Sequence, residues 1–152
     1  MKPLDTTVEE VLRQAIQSEV ETRVYYQKLA GRTGDAAVRS RLMQLADGEL
    51  VHRARMERRY RELVGQEPPP PEPVTIELPS EIHDLDLRRA LKMSLERERE
   101  SESNYRFMAE RVPDTELGKL FMELAEIEWK HKTELQVEYD AAATPEQFLM
   151  DM

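Results

Sequence analysis

Two of the three histidines in this 152-residue chain, His52 and His131, each follow a glutamate by three residues, Glu49 and Glu128. Residues three apart on a helix share a face, so each pair presents a carboxylate and an imidazole to the same point. A shift of 79 residues lays one pair on the other, and the same shift lays Glu19 on Glu98. It also superposes Tyr26 on Tyr105, Ala30 on Ala109, Arg32 on Arg111, Asp35 on Asp114, Leu45-Ala46 on Leu124-Ala125 and Tyr60 on Tyr139. One Glu-x-x-His on its own is ordinary helix-surface chemistry, but two copies in register, each with a lone glutamate upstream, are not what composition alone produces.

The chemistry this donor set can do is metal binding. One glutamate from each of two helices and a Glu-x-x-His from each of two others is the set that a helical bundle gathers around two metal ions. Carboxylate oxygens with imidazole nitrogens suit iron or manganese, and zinc competes well for the same ligands. Four buried carboxylates repel one another, and two divalent cations cancel their charge, so metal is expected to stabilise the fold. The predicted ligands are Glu19, Glu49, His52, Glu98, Glu128 and His131. Tyr26 and Tyr105 lie seven residues, two helical turns, beyond Glu19 and Glu98, where they either donate hydrogen bonds to the ligands or pack in the core. Glu102 stands one turn after Glu98, opposite Arg23 in the repeat; it is either a seventh carboxylate beside the metals or the partner of an arginine, and the second reading is preferred.

Four helices must position these residues. Most of the nine prolines crowd between Pro68 and Pro79, leaving long stretches free of helix breakers on both sides. The first helix is expected from the capping box Thr7-Val8-Glu9-Glu10 to about Arg32, with Val8, Leu12, Ala15, Ile16, Val20, Val24 and Leu29 at helical spacing. The second starts after Asp35, with Val38, Leu42, Leu45, Ala46, Met56 and Leu63 inside, and ends near Gly65. The third is expected over Asp86 to Arg111 and the fourth from Asp114 to about Ala142. Residues 65–85 form a proline-rich linker whose extended reach exceeds the length of a helix, so it can return the chain to the end where helix two began. The result is an all-α four-helix bundle with a long crossover between helices 2 and 3, one domain over 1–152 built of repeats at about 7–64 and 86–142. Trp129, Met43, Met93, Met108 and Met122 read as core or interface fillers. The tail 144–152 is not assigned.

Composition narrows the function further. A net charge of −9, with no run of Lys and Arg free of acids, argues against nucleic acid and anionic lipid as partners. No segment is apolar over a membrane span and residues 1–7 carry no apolar leader, so no membrane is expected and a cytoplasmic location is. The absence of cysteine rules out disulfides, thiolate chemistry and iron–sulfur ligation.

With these residues in place, the sequence resembles the rubrerythrin family of the ferritin-like superfamily from Leu12 to Tyr139. The likeness is carried by Ala15-Ile16-Gln17-Ser18-Glu19 leading to Tyr25-Tyr26, by Leu45-Ala46-Asp47-Gly48-Glu49-Leu50-Val51-His52, by Glu98 leading to Tyr105, and by Leu124-Ala125-Glu126-Ile127-Glu128-Trp129-Lys130-His131. The resemblance implies a ferritin-like fold and two iron ions, cycling between Fe2+ and Fe3+, held by the six predicted ligands. It implies an oxidoreductase that reduces hydrogen peroxide or reacts with dioxygen using electrons from an external electron-transfer protein. The alternative is a ferritin-like iron-binding module that oxidises and passes on ferrous iron without peroxide turnover. Two features depart from the family: the four-cysteine rubredoxin-like site is missing, and Ser101 stands where rubrerythrins carry an extra glutamate, leaving Glu102 as the only substitute. A homodimer, with helix pairs exchanged across the long linker, is the expected assembly.

Overall fold

The computed structural model describes residues 7–142 and 150. Four α-helices account for it, α1 (Val8–Ala30), α2 (Ala36–Val64), α3 (Leu87–Arg111) and α4 (Glu116–Ala142), and no strand occurs among the described residues. Helices α1, α2 and the linker up to Asp86 make one compact unit, and α3 with α4 make a second. Each unit is built on an antiparallel helical hairpin.

Helix starts follow local capping chemistry. Thr7 accepts a hydrogen bond from the Glu10 amide at 3.1 Å, and Asp35 Oδ1 accepts from the amides of Ala37 and Val38 at 2.9 and 3.1 Å. Gly65 ends α2 with φ 77°, the left-handed region that a residue with a Cβ adopts at a cost. The fourth helix begins two residues later than the sequence suggests. Asp114, which follows Pro113, takes φ 58°, and Thr115 caps instead, its hydroxyl accepting from the Gly118 amide at 2.9 Å and donating to the Val112 carbonyl at 2.7 Å. Gly118 is required there, because a Cβ would collide with that same carbonyl.

Burial repeats with the sequence. Val11, Leu12, Ile16, Leu42, Ala46 and Met56 are buried in the first hairpin, and so are their counterparts Ala90, Leu91, Leu95, Phe121, Ala125 and Leu135 in the second. Val20 and Val24 are only half-buried, and Leu63, expected inside, is exposed. Met43, Met122 and Trp129 are not core residues either, at 37, 42 and 43% exposed. At about 100° per residue, Trp129 lies one step around the helix from Glu128, and Met43 and Met122 lie about 120° the other way from Glu49 and Glu128, outside the narrower core stripe.

The crossover is tied down along its own hairpin. Gln17 spreads its side-chain amide over the Glu72 backbone, donating to the carbonyl at 3.1 Å and accepting from the amide at 2.9 Å. Farther on, the Arg32 guanidinium donates to the carbonyls of Leu78, Pro79 and Ile82 at 3.0, 2.8 and 2.7 Å. The Thr33 hydroxyl donates to the Leu85 carbonyl at 2.7 Å, the Leu85 amide donates to Arg32 O, and the Leu85 side chain is buried. The linker thus leaves the far end of α2 and comes back to the α1–α2 turn, as its reach requires.

Candidate metal centre

Each hairpin gathers one set of three candidate ligands. Glu19 of α1 and Glu49 and His52 of α2 bring an oxygen or nitrogen atom apiece within 4.8 Å of one another, and Glu98, Glu128 and His131 do the same in the second hairpin. The positions are dictated by the helices: Glu49 and His52, like Glu128 and His131, are three apart and share a face, and the antiparallel partner helix supplies the lone glutamate at matching height. In the first set His52 Nδ1 lies 3.3 Å from Glu49 Oε2 and 3.6 Å from Glu19 Oε2. In the second, His131 Nδ1 is 3.7 Å from both Glu98 Oε2 and Glu128 Oε2. All four carboxylates are buried, between 3 and 7% exposed.

The electrostatics of both sets call for positive charge. Burial pushes the Glu19 carboxyl up to about 8; His52 opposes that rise and the neighbouring Glu49 adds to it. Burial alone would depress His131, but the pull of Glu128 and Glu98 outweighs it and raises the imidazole to about 9. Two carboxylates face a single imidazole in each hairpin, so each set prefers to hold a proton or a cation. Carboxylate oxygens and an imidazole nitrogen at this spacing fit a divalent ion, because ligand atoms about 2.1 Å from one metal lie roughly 3–4 Å apart, a short rotamer adjustment away.

Of the remaining candidates, Tyr26 is fully buried, with its ring 5.9 Å from that of Tyr25, and Tyr105 is half-buried. Glu102 is buried but does not join the second ligand set. Its Oε2 accepts from Arg106 Nε and its Oε1 from Lys132 Nζ, both at 2.6 Å. Burial would raise its carboxyl, yet Lys132 and Arg106 together outweigh burial and hold it below the ordinary glutamate value. Lys132 was not foreseen as a partner; the signal available was its place next to His131, thirty residues from Glu102 and on the other helix of the hairpin.

Elsewhere the repeat keeps its positions and changes its chemistry. Tyr60 donates to Glu9 Oε1 at 3.0 Å, whereas at the corresponding positions the Arg88 guanidinium lies over the Tyr139 ring, 4.7 Å from its centre.

Paired carboxylate–histidine ligand sets on an all-α scaffold with a long α2–α3 crossover define a ferritin-like protein with two candidate metal sites. The chain belongs to the rubrerythrin family, whose sequence model matches residues 10–139. Among solved structures it is similar to a hypothetical protein from Pyrococcus furiosus, with 27% identity over 90% of each chain and a TM-score of 0.57. It is also similar to an uncharacterised conserved protein from Magnetospirillum magnetotacticum MS-1, with 20% identity over 92% of this chain and 98% of that one and a TM-score of 0.67, a likeness of fold. No protein of curated function matches it by sequence. No helix among the described residues is long and apolar enough to cross a membrane.

Proposed function

We propose that this chain is a non-haem di-iron oxidoreductase of the cytoplasm that reduces hydrogen peroxide, or reacts with dioxygen, using electrons from a separate electron-transfer protein. The observation that carries the reading is the repetition of one Glu, Glu, His set, its carboxylates buried and its imidazole half-buried, in register in both hairpins. Bound iron would supply the redox chemistry: two electrons which, with two protons from solvent, would reduce hydrogen peroxide to two waters.

The chain's own residues do the rest. Glu19, Glu49 and His52 would hold one ion and Glu98, Glu128 and His131 the other. Their burial removes competing water and strengthens each charge contact. Tyr26, two turns beyond Glu19 and fully buried, fills the inner face of α1. Manganese and zinc fit the same atoms, and zinc, which binds more tightly than ferrous iron, would be an inactive occupant. The working form in this reading is a homodimer whose long linker lets two chains exchange helix pairs.

Anaerobic protein loaded with two ferrous ions per chain and mixed with peroxide in a stopped-flow instrument should oxidise rapidly, and faster than with dioxygen. Glu98→Ala should abolish that phase. Slow oxidation by peroxide, with uptake of many more than two irons per chain, would replace peroxide turnover with iron handling.

A further inference from the structure

The repeat that duplicates the ligands does not duplicate what stands one turn beyond them. Glu102 of α3 corresponds to Arg23 of α1, and Lys132 of α4 to Arg53 of α2. In the first hairpin both positions are cationic and cannot pair: Arg53 turns to Glu57 on its own helix at 3.7 Å, and Arg23 keeps Nε buried without a hydrogen-bond partner among the described residues. In the second hairpin the same two positions carry opposite charges and meet across the helix pair at 2.6 Å, with Arg106 holding the other Glu102 oxygen. Glu102 is 8% exposed, so its carboxylate is buried and held by two partly exposed cations, in charge-assisted bonds whose geometric demands are high.

We propose that Glu102 is a positioning residue: with Lys132 and Arg106 it bolts α3 to α4 and sets the Glu98, Glu128 and His131 donors at the spacing one metal ion needs. The inference rests on the metal-binding reading above and assigns Glu102 a role other than that of a seventh ligand. Three placements carry it. Glu102 follows Glu98 by one turn on the same face, Lys132 is the residue after His131, and the Lys132–Glu102 contact therefore joins the two helices next to two of the three donors. Both Glu102 oxygens are already taken, and no Glu102 atom is in the group of donors that lie within 4.8 Å of one another. The first hairpin has no counterpart of this tie, so the two metal positions differ in how firmly their ligands are set before metal arrives.

The two roles make opposite predictions for Lys132. Removing it from a bolt loosens the site, whereas removing it from a reserve ligand frees a carboxylate for the metal and tightens the site. Metal-free protein titrated with Co2+, followed by its visible absorption, should take up two ions per chain. Glu102→Gln should weaken one of the two equivalents about tenfold and leave the other unchanged, with the absorption band of the loaded protein unaltered, because no ligand is lost. Lys132→Met should give the same one-site loss and Lys132→Arg should restore it, while Arg23→Gln should change neither equivalent. Lys132 is partly exposed, so its variants keep the test open if Glu102→Gln does not fold. Tighter cobalt binding in Lys132→Met, or a shifted absorption band in Glu102→Gln, would overturn the bolt and make Glu102 a ligand. Failure of the unsubstituted protein to bind cobalt at all would instead strike at the metal-binding reading itself.

Discussion

Glu19 and Glu49 place two carboxylates against one imidazole, and without metal that imbalance must be met by protons. Glu19 is raised from 4.5 to about 8 and His131 from 6.5 to about 9, so the folded state binds both protons more tightly than the unfolded chain does. The stability each contributes is therefore complete below the unfolded value and lost as pH rises through the folded one, over about 4.5–8 for Glu19 and 6.5–9 for His131. The losses have the same sign and overlap between about 6.5 and 8, at up to roughly 1.4 kcal/mol per pH unit for each group. Urea unfolding of chelator-treated protein should show stability falling from pH 6 to pH 8.5; a rise over that interval would contradict these assignments. Glu19→Gln, which keeps the shape and removes the charge, should flatten the curve and raise the metal-free stability at pH 8 by about 1–3 kcal/mol, at the expense of metal affinity.

Gly118 and Arg32 show how single residues fix whole elements. An alanine in a helix interior usually gains about 1 kcal/mol over glycine, but here its Cβ would run into the Val112 carbonyl, a backbone atom that cannot step aside. Gly118→Ala should therefore lower stability by roughly 1–3 kcal/mol in a urea titration, the reverse of the propensity effect. Arg32→Ala removes three hydrogen bonds that hold the end of the crossover, and limited proteolysis should then cut residues 66–85 faster while the helices stay protected. The helices and the gathering of the two Glu, Glu, His sets were legible in the sequence because caps, apolar spacing and the 79-residue repeat are written in residue types. The Arg32 clamp was not, since its partners are main-chain carbonyls that carry no residue signature. The flank positions of Met43, Met122 and Trp129 escaped for a related reason: apolar identity marks a residue as fit for burial without saying which of two adjacent stripes the partner helix covers. Glu102 was half-legible, its arginine partner lying four residues away in sequence and its lysine on a different helix.

At the scale of the whole molecule, two hairpins of like construction each bury carboxylate charge that protons or a metal ion relieve, so metal and fold should be thermodynamically linked. A ligand present at a hundred times its dissociation constant stabilises the native state by about 2.7 kcal/mol per site, and for a chain of this size each kcal/mol moves Tm by roughly 2–4 °C. Two filled sites should thus raise the melting temperature by about 10–20 °C over the chelated protein, as followed by circular dichroism. His131→Ala and His52→Ala should each remove about half of that rise, since the ligands divide three and three between the hairpins. A melting temperature indifferent to iron, manganese and cobalt alike would leave the four buried carboxylates and two half-buried imidazoles of the two sets without the metal ions that this charge arrangement favours. The linkage therefore tests the arrangement itself, ahead of any assay of turnover.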